Sequence, residues 1–169
     1  LGSEGLRECT ENAILNANYL KKMLEGDYKI YSQNENGFVG HEFIIDLREF
    51  KELGITEKDI AKRLLDYSFH PPTMSWPVLG SIMIEPTESE DKDELDRFIN
   101  AMKSIREEIR EIERGEYTKK DNVLVNSPHS IKDMTEWKFG YSMDKACFPL
   151  EYLKKDKFWP TNSRIDDVY

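Results

Sequence analysis

The sequence has few cysteines and no motif that would join them. Cys9 and Cys147 are the only two among 169 residues, and no CxxC pair is present. Such usage is typical of a reducing compartment, so a disulfide framework is excluded and both cysteines are interpreted as packing residues. Long apolar runs are absent as well, whereas a membrane-spanning helix needs roughly 20 predominantly apolar residues. The sequence therefore predicts no spanning helix.

Acidic residues outnumber basic residues in the sequence. Lys and Arg number 24 against 33 Asp and Glu, which gives a formal net charge of −9 at pH 7. An acidic surface repels phosphate backbones and anionic lipids, so neither nucleic acid nor a membrane surface is an expected partner. The chain does hold 8 Phe, 8 Tyr and 3 Trp. So many aromatic residues are not typical of disorder, and we expect a folded domain, with or without a tail.

Several catalytic and binding motifs are also missing. The nine glycines form neither GxGxxG nor GxxxxGK[ST], so no nucleotide-binding loop is predicted. No GxSxG turn is present for a serine nucleophile. His41, His70 and His129 are far apart, and His41 has no second histidine four positions later. A zinc-binding helix of that type is excluded, and no metal site is predicted.

Hydrophobic spacing predicts three helices. Apolar residues recur at three- and four-residue intervals over 6–24 and again over 60–65. Thr56 followed by Asp59 resembles an N-cap with an acidic first turn, so we expect the second helix to start there. The longest stripe, over 95–112, predicts a third helix of about five turns. Thr87 and Glu90 have the spacing of a capping box, so we expect the third helix to start there.

Short apolar segments predict a small sheet. They lie at 28–31, 43–47 and 81–84, whereas three prolines in 69–77 predict a loop. The order of these elements predicts an α+β fold, with helices on one face of a mostly antiparallel sheet. Residues 116–169 lack a sustained period but carry 9 of the 19 aromatic residues. We interpret them as a long irregular tail that wraps over a surface.

The loop over 69–77 is the best candidate site from residue types alone. The backbone of this loop is stiffened by proline, and its side chains include His70, Thr73, Ser75 and Trp76. Such a loop can hold polar groups in fixed positions beside a ligand. The alternative is a rigid crossover in which the side chains only pack, and residue types alone favour it. Three further residues either cap the third helix or line a site: Glu85, Thr87 and Glu88.

Three segments carry a resemblance to a known family. They read GHEFIIDLR over 40–48, FHPPTMSWPV over 69–78 and IEPTESE over 84–90. Together they closely resemble the C-terminal region of the P-protein of the glycine cleavage system, the glycine decarboxylase family. Segments at both ends are similar to the same family, namely 13–19 at one end and 157–160 with 164–169 at the other. The resemblance therefore covers essentially the whole chain.

The resemblance implies a pyridoxal-phosphate enzyme of the aspartate-aminotransferase type (fold type I). Such an enzyme decarboxylates glycine and passes the aminomethyl group to the lipoyl arm of H-protein. The lysine that carries the family's cofactor follows a histidine, but the three histidines here precede Glu42, Pro71 and Ser130. No lysine of this sequence is therefore assigned that role, and we expect the chain to be inactive alone.

The resemblance also implies a division of the chain. Residues 1–26 would be a helix leading out of the cofactor domain, 27–115 a small α+β C-terminal domain, and 116–169 a wrapping tail. The sequence opens with Leu1 and closes with Tyr169, and we interpret it as a fragment.

Site residues are assigned by the same resemblance. The polar residues of the loop are expected to line the channel or the cofactor site: His70, Thr73 and Ser75. The residues of the acidic segment are expected at the entrance to the same channel: Glu85, Thr87 and Glu88. Arg164 could bind an anionic group through its guanidinium, or it could simply pair with Asp166 or Asp167.

The implied partners are the upstream cofactor domain of the same enzyme, lipoylated H-protein and glycine, with a dimer in the complete enzyme. The family works in the mitochondrial matrix of eukaryotes, which we favour, and in the cytoplasm of bacteria. A second interpretation remains open: a free-standing α+β interaction or small-molecule-binding module whose aromatic tail holds a partner.

Overall fold

The computed structural model describes residues 1–165 and combines helices with a small sheet. The helices are α1 Gly2–Leu24, α2 Glu57–Asp66, α3 Lys92–Glu113, α4 Ile131–Thr135 and α5 Met143–Cys147. The strands are β1 Lys29–Ile30, β2 Phe43–Asp46, β3 Thr73–Met74 and β4 Ser81–Ile84. Two 3₁₀ helices cover Arg48–Leu53 and Glu151–Lys154. The predicted α+β class is confirmed.

The four strands form one antiparallel sheet in the order β1-β2-β4-β3. In its centre Ile45 of β2 lies opposite Ile82 of β4, and both side chains are fully buried. The segment 69–77 is not entirely a loop, because it contributes the two-residue strand β3. That strand lies at the edge of the sheet, where flanking prolines remove no hydrogen bond from a central strand.

The described chain separates into two compact units that are interleaved in sequence. The first unit comprises 1–48 and 72–103, and the second comprises 49–71 and the residues from 104 onward. The sheet and α1 belong to the first unit; α2, α4 and α5 belong to the second. Helix α3 contributes to the first unit up to Lys103 and to the second from Ser104. The predicted boundaries at 26 and 115 stay predictions.

The core of the first unit joins α1, the sheet and the first half of α3. Tyr28 is buried within it, and its hydroxyl donates to the carbonyl oxygen of Met102 at 2.8 Å. The buried apolar residues of this unit include Ala17, Leu20, Leu24, Phe43, Ile45, Leu47, Ile82, Ile84, Leu95, Ile99 and Met102.

The second unit is organised around α2 and the second half of α3. Helix α2 starts with a capping box, in which the amide of Thr56 donates to Asp59 Oδ2 at 2.7 Å and the threonine hydroxyl accepts from the amide of Asp59. The start predicted for this helix is confirmed. Buried apolar residues of this unit include Phe50, Ile55, Ile60, Leu64, Tyr67, Ile105, Ile109, Val123, Leu124, Cys147 and Leu153.

The start predicted for α3 is wrong. Its first turn is capped by Asp91, whose Oδ1 accepts from the amide of Glu94 at 2.8 Å. Thr87 instead has a φ of +59°, whereas an N-cap residue has extended backbone, and its hydroxyl is hydrogen-bonded to that of Ser89 at 2.9 Å. The helix ends at Glu113, close to the end of the stripe predicted over 95–112.

The segment after α3 is more regular than predicted. It contains α4, α5 and a 3₁₀ helix, all too short to give a periodic signal in the sequence. Ser130 and Ser142 are the N-cap residues of these two α-helices, and the hydroxyl of Ser142 accepts from the amide of Lys145. Within residues 1–165, no helix is both long and apolar enough to cross a membrane.

Candidate functional site

A cleft of about 360 Å³ lies in the first unit, beside α1 and the turn that follows β4. Helix α1 supplies one group of lining residues: Cys9, Thr10, Ala13 and Ile14. The turn and the loop before β2 supply the other: Glu85, Thr87, Glu88 and His41. The structure thus brings together the three predicted acidic-segment residues. His41 was not assigned to a site, although it lies in the GHEFIIDLR segment that carries the resemblance.

The turn that forms one wall of this cleft is held in place by Asn16. Its side-chain Nδ2 donates to the carbonyl oxygens of Thr87 at 2.9 Å and Glu90 at 3.3 Å. Thr87 has a φ of +59°, a left-handed conformation that is unfavourable for a β-branched residue and persists only where the surroundings impose it. The wall is therefore positioned by the fold before any ligand binds.

The cleft is anionic on the side of the turn. Glu85 and Glu88 present carboxylates, and the Nε2 atom of His41 lies 4.0 Å from Glu85 Oε1 and 3.9 Å from Glu42 Oε2. None of the eight described lining residues is a lysine or an arginine. Within residues 1–165 there is also no group of three His, Cys, Asp or Glu placed to hold a metal ion. The cleft suits a neutral polar or cationic group.

Thr73 and Ser75 lie on the hairpin formed by β3 and β4. Thr73 pairs with Met83 across the sheet edge, and its side chain is exposed. Ser75 has a φ of +54°; its amide donates to the carbonyl of Ser81 at 2.8 Å, and its Oγ accepts from the amide of Gly80 at 3.2 Å. These bonds fix the tip of the hairpin and engage the Ser75 hydroxyl within it.

An ion pair lies beneath this hairpin. Arg48 donates from Nε to Asp46 Oδ1 at 2.8 Å and from Nη2 to Oδ2 at 2.7 Å, and these hydrogen bonds hold the pKa of Asp46 well below its usual range. Gly80 has a φ of +78°, and a Cβ atom there would lie 2.7 Å from the Cγ of Arg48. The hairpin therefore depends on glycine at this position, and it carries Trp76 and Leu79 into solvent.

His70 and Arg164 belong to the second unit. His70 is exposed. Arg164 Nη2 lies 2.6 Å from Asp59 Oδ1, so its charge is matched by a buried carboxylate of α2. Asp166 and Asp167, the partners expected from the sequence, lie outside the described residues. This pairing favours an anchoring function for Arg164, whereas binding of an external anion stays a prediction.

The second unit also contains a buried ionic network that the sequence did not predict. Arg63 is fully buried and donates to Glu108 at 2.6 and 3.0 Å, to Asp66 at 2.9 Å, and to the carbonyls of Ala146 and Lys145. Burial lowers the pKa of this guanidinium, but Glu108, Tyr67 and Asp66 together raise it by more, so the pKa lies well above its ordinary value. The group is a permanent cation.

His129 extends the network. Its amide donates to Asp66 Oδ1 at 2.7 Å, its Nδ1 lies 2.8 Å from Oδ2, and its Nε2 lies 2.8 Å from the hydroxyl of Tyr141. The rings of Trp137 and Phe139 pack against the imidazole, with centroids at 5.8 and 5.1 Å. Because the histidine is completely buried, we assign it to fixing this segment against α2 and not to catalysis.

The fold and the cleft together define the structural class of the chain. The chain is a small α+β structure of two compact units, and its first unit carries an open cleft and a rigid hairpin, without a cluster of catalytic groups at either place among residues 1–165. The family model described as glycine dehydrogenase, C-terminal domain, matches residues 9–129. The chain belongs to that family.

Curated relatives extend the match to the whole chain. It is 55% identical over 172 residues to glycine dehydrogenase (decarboxylating) of Teredinibacter turnerae, and over 173 residues to the human enzyme named glycine dehydrogenase (decarboxylating), mitochondrial. The relative in Dechloromonas aromatica is also 55% identical. In each case 100% of this chain is covered, but the chain spans only 17–18% of the relative's length.

Pyridoxal phosphate, which the resemblance implies, does not fit the cleft. A phosphate group needs hydrogen-bond donors and positive charge, and the cofactor is carried by a lysine. The described cleft instead presents two carboxylates and contains no lysine. The residues of this cleft do not by themselves form a site for the cofactor.

Proposed function

We propose that this chain is the C-terminal region of a pyridoxal-phosphate-dependent glycine dehydrogenase (decarboxylating), and that it shapes the approach to an active site completed by the preceding part of the enzyme. The observation that carries this proposal is the 55% identity along the whole chain. The cofactor would be bound by the more than four-fifths of the relatives' length that the chain does not span. It would supply the electron sink for decarboxylation of glycine.

The hairpin and its preceding loop would line the channel. Thr73 and His70 are exposed, and the hydrogen bonds of Ser75 hold the hairpin tip in one conformation. A rigid backbone lowers the entropic cost of presenting polar groups to a substrate. We therefore retain His70, Thr73 and Ser75 as channel-lining residues.

The cleft would form the entrance to this channel. Glu85, Thr87 and Glu88 lie together there, on a turn that Asn16 holds in place. Carboxylates at an entrance attract the ammonium group of an amino acid and repel phosphate-bearing metabolites. This makes the acidic wall suitable for a glycine entrance.

The remaining partners follow from the same proposal. The enzyme would act as a dimer and would pass the aminomethyl group to the lipoyl arm of H-protein. The compartment would be the mitochondrial matrix in a eukaryote and the cytoplasm in a bacterium. Identity over the whole chain favours this function over a free-standing binding module.

The proposal is tested by a chimaera. The matching C-terminal segment of the Teredinibacter turnerae relative is replaced by residues 1–169, and glycine-dependent release of carbon dioxide is measured with lipoylated H-protein. We expect activity comparable to that of the unmodified relative. A relative that lacks the segment serves as the control and is expected to be inactive.

One result of this experiment would contradict the proposed function. A chimaera that is folded and retains the absorbance of bound pyridoxal phosphate, but releases no carbon dioxide from glycine, would contradict the proposed function. The absorbance is needed because it separates loss of chemistry from loss of the folded cofactor domain.

A further inference from the structure

Two asparagine side chains of α1 are hydrogen-bonded to the segments that form the rest of the cleft. Asn16 donates from Nδ2 to the carbonyl oxygens of Thr87 and Glu90 at 2.9 and 3.3 Å. Asn18 bonds both backbone groups of Val39: its Nδ2 donates to the carbonyl oxygen at 2.9 Å, and its Oδ1 accepts from the amide at 3.0 Å. We call the bonds of Asn16 the turn tether and those of Asn18 the loop tether.

Both tethers act on segments without regular structure. The loop between β1 and β2 covers 31–42 and the turn after β4 covers 85–91, and neither contains a strand or a helix. The backbone groups of such a segment are not engaged in a ladder, so bonds from neighbouring side chains determine where the segment lies. Lys21 of α1 adds another, because its Nζ donates to the carbonyl oxygen of Gly37 at 3.0 Å. Helix α1 therefore holds both segments.

The two tethers leave α1 on either side of the face that lines the cleft. Successive residues of a helix are rotated by about 100°, so Asn16 and Asn18 lie about 160° apart around its axis. Thr87, at the turn tether, lies two positions after Glu85, and Val39, at the loop tether, lies two positions before His41. Glu85 Oε1 and His41 Nε2 are 4.0 Å apart, so this contact depends on both tethers.

The chemistry of the tethers is specific to a side-chain amide. Backbone carbonyl oxygens only accept hydrogen bonds, and the amide of asparagine has two N–H groups to donate as well as an oxygen that accepts. Aspartate is of similar size, but as a carboxylate it has no hydrogen to donate to Thr87 or Glu90. Both asparagines are partly buried, so their side chains are confined as well as bonded.

We propose that Asn16 and Asn18 are positioning residues for the entry of glycine, because they hold the turn over 85–91 and the loop end at His41 in the arrangement that admits the substrate. This inference rests on the proposed function, which makes the cleft an entrance. A wall that is already ordered need not be ordered when the ligand arrives. Since neither asparagine is placed at the reacting atoms, its loss should raise KM for glycine and leave kcat nearly unchanged.

The first test removes each tether in the active full-length chimaera. Asn16→Ala and Asn18→Ala are each expected to raise KM for glycine at least about threefold and to change kcat by less than about twofold. Alanine is the best helix former, so a weaker helix α1 does not account for this result. If Asn16→Ala does not fold, Asn18→Ala is judged by the same two constants. An unchanged KM in the folded variants overturns the inference.

Asn122 supplies the matched control in the second unit. Its Nδ2 donates to the carbonyl oxygen of Thr118 at 2.9 Å and its Oδ1 accepts from the amide of Leu124 at 3.0 Å, so it tethers backbone in the same way. Asn122→Ala is expected to lower the melting temperature and to leave KM for glycine unchanged. If Asn122→Ala raises KM as much as Asn16→Ala does, the effect reflects stability alone and the inference is wrong.

Asn16→Asp separates the position of the wall from its charge. The substitution removes the donor but adds a negative charge beside Glu85 and Glu88. If the position of the wall controls entry, KM should rise as it does in Asn16→Ala. If only the attraction of the ammonium group by negative charge matters, KM should fall, and that result overturns the inference.

A double-variant experiment shows whether Asn16 acts through the turn. Glu85→Gln combined with Glu88→Gln neutralises the wall and should itself raise KM for glycine. Adding Asn16→Ala to this background should raise KM by less than about twofold further, because the wall being positioned no longer attracts the substrate. Full additivity of the two effects would contradict an action through these carboxylates.

Hydrogen exchange gives a readout that does not depend on activity. Backbone amides over 85–91 should exchange faster in Asn16→Ala than in the unmodified chimaera, and Asn122→Ala should leave their exchange unchanged. Faster exchange with an unchanged KM shows that the tether exists but does not position the entrance, which overturns the inference while the function stands. A folded chimaera that releases no carbon dioxide contradicts the proposed function, and the inference falls with it.

Discussion

Arg63 shows how a single buried cation can organise a unit of this structure. Its guanidinium has five N–H groups, and the five hydrogen bonds to Glu108, Asp66 and two carbonyls use them all. Removing one member of such a network leaves the others charged and unpaired in a buried environment. That cost exceeds the benefit of any single surface pair.

Arg63→Met should therefore lower the free energy of unfolding by about 3–5 kcal/mol, measured by urea denaturation. Arg97→Met is the matched control, because Arg97 pairs with Glu94 near the surface of α3 and such pairs contribute at most about 1 kcal/mol. Equal effects of the two substitutions would show that the buried network adds nothing beyond an exposed pair.

Cys147 gives a prediction about pH. Burial raises the pKa of its thiol from an ordinary value near 9 to about 11. The folded chain then binds more protons than the unfolded chain between pH 9 and pH 11, so the free energy of unfolding falls as pH rises through that window. Under reducing conditions, Cys147→Ala should show a shallower fall than the unsubstituted chain. Identical slopes for the two would contradict a raised pKa at Cys147.

Substitutions of His70 and Thr73 distinguish a loop that takes part in the function from a loop that only packs. In the full-length chimaera, His70→Ala and Thr73→Ala are expected to reduce the rate of glycine decarboxylation while changing the melting temperature little, because both side chains are exposed. Thr135→Ala, at an exposed threonine of α4, serves as the control and should change neither quantity. Normal turnover with a lower melting temperature would support the packing interpretation.

At the scale of elements, substitutions of two glycines with the same backbone conformation can measure how much the contact between Gly80 and Arg48 contributes to stability. Gly80 and Gly115 both have a φ of +78°, but a Cβ atom at Gly80 would meet Arg48 at 2.7 Å and one at Gly115 would meet nothing within 4 Å. Gly115→Ala should cost about 1 kcal/mol for the left-handed backbone alone.

Gly80→Ala should cost at least about 2 kcal/mol, because Arg48 must move and its pair with Asp46 is disturbed. Urea denaturation of the two variants gives the difference. The exposed indole of Trp76 reports on the hairpin by fluorescence, and its emission should change in Gly80→Ala only. Equal losses of stability would show that the Arg48 contact is relaxed at no cost.

The sequence predicts long elements well and short ones poorly. The stripes over 6–24 and 95–112 contain enough turns to establish a helical period, and α1 and α3 cover these stripes, although α3 starts at Lys92 and not at the predicted Thr87. Strand β3 and helices α4 and α5 have two to five residues each, too few for a period to emerge. They are fixed by tertiary hydrogen bonds, which no local pattern records.

The candidate site was partly accessible to prediction. Resemblance singled out Glu85, Thr87 and Glu88, and the structure gathers them at one cleft. It could not reveal that Thr87 is left-handed, since a threonine three positions before a glutamate is an ordinary helix start. Nor could it reveal the network of Arg63, because a charged residue on a helix is normally solvated.

At the scale of the whole molecule, the chain spans only 17–18% of the length of the relatives that it matches. Incubated with pyridoxal phosphate and glycine, the 169-residue chain should release no carbon dioxide, because its cleft has no group to hold the cofactor. The full-length chimaera in the same assay is the positive control. Release of carbon dioxide by the chain alone would contradict the division of labour proposed for the enzyme.

The interleaving of the two units constrains how this region can be inherited. The chain passes from one unit to the other after residues 48, 71 and 103, and the last of these crossings lies inside the continuous helix α3. A gene-fusion event that moved either unit alone would need several simultaneous junctions, one of them through the middle of a helix. Recombination should therefore transmit the region as a single block, and chimaeric libraries should tolerate crossovers at its ends far better than within it.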